Sequence, residues 1–366
     1  TGPLYLISVL HLYVLRMLLY FMLYFLNISN FSFKMIRKVV SIKQLSFFPL
    51  IFSKISVWSP AGCVAVPFGS IPTGLGIKSS DVDCFVQLHA GGEGGSGGGC
   101  GARAAAFVQR ARRLLALYPR VFANLVAIPR ANTPILKFRH LPSGFHCDVS
   151  AKTPLGAQNS KLIKLLLEHD ARLPPVALLL KYWAKVHGLS GTGRLTNYAL
   201  TMMVVFYLQR ARALLPPVAR LQGPADRLLL DHWDAGFSRR LPPSAACPAA
   251  LPDLLGGFFQ FYASFDFERL VVCPYLGVPV LKALFDKPES LPAEFARYVA
   301  NVRDRLAGPL RHGTPFCVQD PFEQSHNVAS AVSARLAFNM VYPFSAAEKI
   351  ERSLTAFKST YTRKLF

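Results

Sequence analysis

The stretch Pro67-Phe68-Gly69-Ser70 and, after ten further residues, Asp81-Val82-Asp83 decides the fold of this chain. The apolar runs Cys63–Phe68 and Val82–Leu88 have the length of strands and flank a loop that contains glycine and serine. Gly69 lets backbone N–H groups approach a phosphate closely, and the Ser70 hydroxyl can donate a hydrogen bond to it. The stretch therefore predicts two strands joined by a phosphate-binding loop.

Asp81 and Asp83 are two residues apart, so on a strand both carboxylates point to the same side. Mg²⁺ prefers such oxygen ligands, and two ions about 3.5–4 Å apart can activate a hydroxyl and stabilise a leaving phosphate group. A third carboxylate is then needed on a neighbouring strand. Asp148 lies in the apolar run Phe145–Val149, where an unpaired carboxylate would be costly. The alternatives are a solvated turn for the first two residues and an arginine salt bridge for Asp148.

The remaining periodicities alternate between strands and helices and predict an α+β fold. Further strands are predicted at Val121–Ile128, Ile135–Arg139 and Phe145–Val149, and helices at Arg103–Tyr118, Ser160–His169, Pro174–His187, Asn197–Gln209 and Leu254–Phe267. Residues 91–101 hold eight glycines and predict a flexible surface loop, and residues 239–253 predict a linker.

The charge of the chain is strongly positive and unevenly distributed. The 41 Lys and Arg residues against 20 Asp and Glu give a net charge of +21. Residues 1–80 and 94–147 contain no acidic residue and carry +7 and +8. Such a balance favours a polyanionic partner, namely nucleic acid, nucleotide phosphate or an anionic membrane.

Composition excludes several classes of protein. A hydrophobic content of 52% excludes a disordered chain. The seven cysteines contain no C-x-x-C pair, which argues against a zinc ribbon and a paired disulfide framework. Free thiols in a reducing compartment are expected.

Residues 1–60 differ from the rest because they contain no Ala, Asp or Glu. Residues 3–26 are apolar enough to cross a bilayer, and the basic residues that follow would face the cytoplasm. The segment is alternatively an apolar helix packed on the globular part, or non-native sequence from a misplaced exon boundary near Ser59–Ala61. The first residue, Thr1, is typical of a fragment. We favour the non-native origin and leave residues 1–60 out of the functional reasoning.

Gly69-Ser70, Asp81-Val82-Asp83 and Asp148 together resemble the polymerase β-like nucleotidyltransferase superfamily. More closely, they resemble the noncanonical poly(A) polymerases and terminal uridylyltransferases of the Cid1-like group, from about Cys63 to about Leu336. The resemblance implies a catalytic palm at 61–155 and a helical domain at 156–345. That domain would hold a poly(A)-polymerase-associated segment at about 254–312 and a nucleotide recognition motif at 317–329, followed by a tail at 346–366. Family members usually have helices before the Gly-Ser motif, where this chain has residues 1–60.

The resemblance also implies nucleotide-binding residues. Asn159 matches an asparagine that contacts the ribose, and its alternative is a helix cap. Lys181 and Lys185 are four residues apart and would face the triphosphate from one helical face, the alternative being a solvated face. Asn197 would hydrogen-bond the phosphate from a position where the family often has Ser. Tyr198 would stack on the base.

The recognition motif implies a choice of base. In the family, a histidine at the position of His326 accompanies preference for UTP over ATP, because an imidazole that donates to a uracil carbonyl leaves too little room for a purine. Asp320 and Glu323 would support the base edge or orient His326. The alternative is a structural histidine.

The implied reaction is template-independent addition of UMP from UTP to RNA 3′ ends with two Mg²⁺ or Mn²⁺ ions. The alternatives are a poly(A) polymerase of the same fold and a non-catalytic RNA-binding scaffold. The expected partners are an RNA 3′ end and a nucleoside triphosphate, and no DNA is expected. The chain is expected to be a monomer. Its expected location is the cytoplasm or the nucleus, with a mitochondrial or membrane-anchored location as alternatives. The candidate contacts to RNA phosphates, each with a generic basic surface as its alternative, are Arg110, Arg112, Arg113, Arg120, Arg130, Lys137 and Arg139.

Overall fold

The computed structural model describes residues 64–77, 80–88, 100–131, 133–191, 193–243 and 247–337. The predictions for residues 1–60, for residues 346–366 and for most of the glycine-rich stretch lie outside the described residues. Among the helices of the described ranges, none has both the length and the apolar character that a membrane crossing requires.

A five-stranded mixed sheet forms the first unit. Its strands are β1 (Val64–Phe68), β2 (Val82–Gln87), β3 (Phe122–Ile128), β4 (Ile135–His140) and β5 (His146–Ser150). They lie in the spatial order β1-β2-β5-β4-β3, with β2 and β5 parallel and the other neighbours antiparallel. The predicted strand bounds agree with these to within one residue.

The helix α1 (Cys100–Leu115) covers only one face of this sheet. Its apolar residues Ala104 and Val108 pack in one cluster with Cys84, Phe138 and Val149 of the sheet. Residues of the opposite parity, including the predicted metal ligands, therefore point to the other face, away from α1. One face of the sheet thus packs against α1, and the other carries the predicted metal ligands.

A helical unit makes up the second half. Its helices are α2 (Leu155–Glu168), α3 (Leu173–Val186), α4 (Asn197–Arg210), α5 (Leu251–Ala263) and α6 (Ala296–Arg303). Two short hairpins pair β6 (Leu229–Leu230) with β7 (Trp233–Asp234) and β8 (Leu270–Val271) with β9 (Val280–Leu281). Short 3₁₀ helices lie at Val218–Leu221, Pro224–Asp226, Lys282–Asp286, Pro288–Ser290 and Ala293–Phe295.

The core of the helical unit surrounds α4, which is buried from Ala199 to Gln209. A helix that is apolar on all sides belongs in the interior of a domain. Aromatic rings of α5 pack against it, and the buried Tyr262 hydroxyl donates to the Met203 carbonyl at 2.7 Å. This satisfied hydroxyl removes the cost of burying a polar group.

Several helix bounds differ from the predictions. α2 begins at Leu155, five residues before the predicted start, because the Thr153 hydroxyl accepts the Leu155 N–H at 3.3 Å. α5 begins three residues early, because the Asp253 carboxylate accepts the Ala250 N–H at 2.8 Å. It ends before Phe267, whose ring stacks on Phe316 at 4.1 Å. α6 was not predicted.

The segment 317–329 is held in place by one buried amide. The Asn327 side chain faces three oxygen acceptors through Nδ2, which are the Arg311 carbonyl at 2.9 Å, the Thr314 hydroxyl at 2.8 Å and the Phe316 carbonyl at 3.1 Å. Its Oδ1 accepts the N–H groups of Val318 and Ala329. One side chain thus fixes both ends of the segment.

Asn327→Asp is expected to lower the free energy of unfolding by about 3 kcal/mol or more, because a buried carboxylate would face carbonyl oxygens without a partner. Urea unfolding followed by circular dichroism measures the change. Gln260→Glu makes the same chemical change at an exposed position on α5 and serves as the control. An equal effect of both substitutions would contradict the role given to Asn327.

Candidate active site

Strand register places two of the predicted metal ligands side by side. The parallel pairing of β2 with β5 sets Asp83 opposite Asp148, and the pairing of β1 with β2 sets Phe68 opposite Asp83. Asp81 lies directly before β2 and lines the same cleft as Asp83. The three carboxylates therefore lie on the sheet face that α1 leaves open.

The carboxylates destabilise one another in this position. Burial raises the pKa of Asp83 to about 7, and the negative charges of Asp148 and Asp81 add to the shift. Burial and then the charge of Asp148 raise the pKa of Asp81, against the opposing charges of His146 and Lys137. Like charges in a partly buried site favour a bound cation.

Asp148 is paired with a lysine of the neighbouring strand. Lys137 lies directly opposite Asp148 across β4 and β5, and its Nζ forms an ion pair with the Asp148 carboxylate. This residue was predicted to contact RNA, and the salt bridge expected as the alternative for Asp148 is made by a lysine rather than an arginine. Within the described ranges, no three acidic, histidine or cysteine side chains converge closely enough to hold a metal ion.

The phosphate loop has a different internal arrangement from the predicted one. Gly69 has φ = 77°, and a Cβ there would overlap the Asp83 Oδ2 atom. Its N–H donates to the Ser160 hydroxyl at 2.7 Å, and Ser160 donates in turn to the Gly156 carbonyl at 2.8 Å. The Gly69 N–H itself is therefore engaged by Ser160, and the close approach of other backbone N–H groups to a phosphate stays a prediction. The glycine instead leaves room for Asp83 and permits the left-handed backbone.

Sequence reasoning missed the α2 face that receives this loop. A Cβ on Gly156 would lie 3.2 Å from the Phe68 ring, so a larger residue would push α2 away from β1. Thr73 also donates to the Gly69 and Ser70 carbonyls at 3.0 and 3.1 Å. The spacing of Gly156 and Ser160, four apart on one helical face, is the signal that could have revealed this contact.

The two lysines of α3 differ in environment. Lys181 is buried and donates to the Leu75 carbonyl at 2.8 Å, and burial lowers its pKa to about 8 against the opposing charge of Asp83. Lys185 lies one turn further along the helix and is exposed. Both line the cleft, as the four-residue spacing predicts, but Lys181 also holds the chain after the phosphate loop.

Asp320 organises the far end of the cleft. Its Oδ2 accepts from Asn159 Nδ2 at 3.1 Å and from the Tyr198 hydroxyl at 2.9 Å. Its Oδ1 accepts the N–H groups of Phe322 and Glu323 at 2.8 and 3.0 Å. The carboxylate is buried and both of its oxygens accept hydrogen bonds, so it reaches the base edge only through the residues that it holds; its support of the base edge or of His326 stays a prediction. It fixes the residues that line the cleft.

Asn159 keeps one acceptor for a ligand. It lies in the second turn of α2 rather than at the helix cap, so the capping alternative is wrong. Its Nδ2 faces a carboxylate, which orients Oδ1 the other way. That buried oxygen has no hydrogen-bond partner among the described residues, and the side chain lines the cleft. A hydroxyl donor in the cleft would satisfy it.

His326 stands at the rim, half exposed, with Nδ1 3.6 Å from Glu323 Oε2. Burial raises the pKa of Glu323, and the charge of His326 opposes that shift. The His326 N–H donates to the Glu323 carbonyl at 2.7 Å, and its carbonyl accepts the Asp320 N–H at 3.0 Å. This turn presents the imidazole to the cleft.

The predicted nucleotide residues share one cleft of about 640 Å³ between the sheet and the helical unit. They are Gly69, Ser70, Asn159, Lys181, Lys185, Asn197, Tyr198, Asp320, Glu323 and His326. Asp81 and Asp83 lie in the same cleft, while Asp148 lies outside it. The cleft thus brings carboxylates, lysines and a half-exposed histidine around one space of nucleotide size.

Comparison with known proteins agrees with this arrangement. A family model described as "Poly(A) RNA polymerase, mitochondrial-like, central palm domain" matches residues 39–168, and one described as "Cid1 family poly A polymerase" matches residues 250–326. The terminal uridylyltransferase cid1 of Schizosaccharomyces pombe is 28% identical over 308 residues, covering 79% of this chain and 69% of the relative. These matches support a Cid1-like nucleotidyltransferase.

Two further comparisons differ in how much of each chain they cover. The speckle targeted PIP5K1A-regulated poly(A) polymerase of Mus musculus is 37% identical over 235 residues, 62% of this chain, and the chain spans only a quarter of that relative's length. A crystal structure of the Cid1 poly(U) polymerase with Mg and 3′-dATP is 26% identical, with a TM-score of 0.66, over 88% of this chain and 90% of that chain.

A third comparison bears on the fold alone. A crystal structure of mtPAP with ATPγS has a TM-score of 0.70 at 23% identity, over 83% of this chain and 62% of that chain. The predicted α+β fold, with a polymerase β-like palm and a helical poly(A)-polymerase-associated domain, is confirmed.

The side chains of this Cid1-like palm fit divalent metals by their chemistry. All the donors at Asp81, Asp83 and Asp148 are carboxylate oxygens, which Mg²⁺ and Mn²⁺ prefer. Burial and the neighbouring carboxylates raise the pKa values of Asp81 and Asp83, and a bound cation would offset both effects. Asp148 would exchange its contact with Lys137 for a metal ion.

The candidate RNA contacts of the Cid1-like palm divide between two faces. Arg110, Arg112 and Arg113 are exposed on α1, so the sheet separates them from the carboxylates. Arg120 lies in the turn between α1 and β3, and Arg130 lies in the turn after β3. Only Lys137 and Arg139 share the sheet face with Asp148.

Asp83→Asn is expected to raise the thermal midpoint in EDTA by a few degrees, because it removes a repelling charge and about 1 kcal/mol corresponds to ~2–4 °C in a domain of this size. Adding Mg²⁺ or Mn²⁺ should raise the midpoint of the wild type and leave the variant nearly unchanged. Differential scanning fluorimetry measures both. Asp253→Asn, at the start of α5, is the control, because it should not change the response to metal. A metal response retained by Asp83→Asn would contradict the proposed ligand.

Proposed function

We propose that this chain is a template-independent RNA 3′-terminal nucleotidyltransferase that adds UMP from UTP. The observation that carries the proposal is the single cleft with repelling carboxylates at one end and the His326–Glu323 pair at the other. The net charge of +21 is consistent with an RNA substrate. The words "speckle targeted" in the name of the mouse relative favour a nuclear location, with the cytoplasm as the alternative.

The metal ions would be held by the three aspartates. Asp81 and Asp83 would bind both ions and Asp148 the one beside the RNA terminus, where the ions supply hydroxyl activation and charge neutralisation. The RNA 3′-oxygen attacks the α-phosphorus in line, the bond from that phosphorus to the bridging oxygen breaks, and pyrophosphate leaves. RNA longer by one nucleotide is the product.

The other cleft residues bind and orient the nucleotide. The Ser70 hydroxyl donates to the triphosphate, and the ammonium groups of Lys181 and Lys185 offset its charge. Asn159 Oδ1 accepts a ribose hydroxyl, and Tyr198, held by Asp320, offers its ring to the base. Asn197, at the first turn of α4, lies where its amide can reach a phosphate.

The choice between UTP and ATP rests on His326. Its imidazole is half exposed at the cleft and oriented by Glu323, so it can donate to a uracil carbonyl. A poly(A) polymerase is the second candidate, because the mouse relative carries that name while the yeast relative is named a uridylyltransferase. Both activities use the same carboxylates.

Incorporation of UTP and ATP into one RNA primer, measured side by side, tests the proposed choice. The wild type should prefer UTP, and His326→Ala should reduce the ratio of the two kcat/KM values by roughly tenfold, the size expected for a lost polar contact in a pocket. A wild type that prefers ATP would establish the second candidate.

Asp83→Ala should abolish extension. RNA binding without incorporation by the wild type would indicate a scaffold.

Asn159→Leu is expected to reduce discrimination between UTP and 2′-deoxy-UTP by roughly tenfold, because the variant cannot accept a hydrogen bond from the ribose. The measured quantity is the ratio of kcat/KM for the two nucleotides. The ratio cancels losses that arise because Asn159 also contacts Asp320. Asn197→Leu is the control in the same cleft, and it should weaken both nucleotides equally. An unchanged ratio in Asn159→Leu would show that the ribose is read elsewhere.

A further inference from the structure

The open sheet face continues beyond the metal site in two rows of side chains. Residues opposite each other in neighbouring strands share a face. One row runs from Asp83 through Asp148 and Lys137 to Val126. In the next row, Arg139 lies directly opposite His146. The carboxylates therefore form one end of a larger surface.

This surface is basic and partly apolar. Arg139 and His146 are exposed, and Val126 has half of its surface accessible. The chain passes from β5 directly into α2, so His146 and Arg139 lie at the sheet end remote from the helical unit. Neither of them lines the nucleotide cleft. The cations along this face suit the phosphate backbone of a single-stranded nucleic acid.

The direction of the reaction selects the same surface. In-line transfer places the attacking oxygen and the leaving pyrophosphate on opposite sides of the α-phosphorus. The cleft holds Ser70 and Lys185 for the triphosphate, and Asp148 lies outside it. The open sheet face over β5 and β4 gives an RNA terminus a route to Asp148 from the side that the triphosphate residues do not occupy.

We propose that the 3′-terminal nucleotides of a single-stranded RNA lie across β5, β4 and β3, with Arg139 on a backbone phosphate and His146 beside it. The inference rests on the proposed function and extends it to the RNA subsite. Two strand spacings beyond Asp148 measure about 10 Å. Charges on one stacked strand recur every ~3.4 Å, so the surface holds about two or three nucleotides.

The same geometry excludes the arginines of α1 from this subsite. Arg113 is exposed like Arg139 and carries the same charge, but it lies on the far side of the sheet. A strand of RNA that lies over Arg139 cannot contact Arg113 without passing around the sheet edge. The pair therefore makes a matched comparison of the two faces.

Binding of a fluorescent single-stranded RNA to the full chain, measured by anisotropy without nucleotide, tests the inference. Arg139→Ala should weaken binding roughly tenfold, as expected for a lost charge-assisted contact. The slope of log K against log salt should fall by about 0.7, the value for one phosphate contact on a single strand. Arg139→Lys should recover most of the affinity, and Arg113→Ala should change it less than twofold.

Two outcomes would overturn the inference. Binding that is unchanged in Arg139→Ala but weakened in Arg113→Ala would place the RNA on the α1 face. A wild type that does not bind RNA would remove the subsite altogether. Extension assays on the same proteins report the proposed function separately. If RNA binds with the expected dependence on Arg139 but is not extended, the subsite stands and the proposed function fails.

Discussion

The parallel register of β2 and β5 is the constraint on which the rest of the structure depends. It sets Asp83 beside Asp148 in a partly buried place, where their charges repel. A fold does not keep such a pair for stability, because desolvation and repulsion both oppose it. The surroundings limit the cost, since Lys137 pairs with Asp148 and the buried Lys181 lies close enough for its charge to lower the pKa of Asp83. The cluster of carboxylates thus lowers the stability of the fold, and bound cations would relieve the repulsion.

The buried carboxylate of Asp320 links three elements at the far end of the cleft. Asp320 receives Asn159 from α2, Tyr198 from α4 and the backbone of the recognition segment itself. Because both oxygens of this carboxylate accept hydrogen bonds, it orients Asn159 and Tyr198 together. Rigid positioning of that kind is what a site needs when it must choose between nucleotides of different size.

The sequence was sufficient for the strands, for five of the six described helices and for many of the residues that line the cleft. Period-two runs and the Gly-Ser and Asp-x-Asp spacing depend only on residues that are close in sequence, so they can be recognised without the structure. The engagement of the Gly69 N–H by Ser160 and of Lys181 by the Leu75 carbonyl could not be predicted in this way. Both contacts join segments about a hundred residues apart, and no local pattern records which donor meets which acceptor.

The acid-free segment 94–147 shows the same limit for charge. Its +8 favours a polyanionic partner, yet the arginines of α1 and Arg139 of β4 lie on opposite sides of one sheet. The net charge of a segment does not show on which face of the sheet each charged side chain lies. What assigns Arg139 to the catalytic face is strand parity relative to Asp148, since residues paired across β4 and β5 project to one side. A basic segment can thus be attributed to a substrate only after the register of its strands is known.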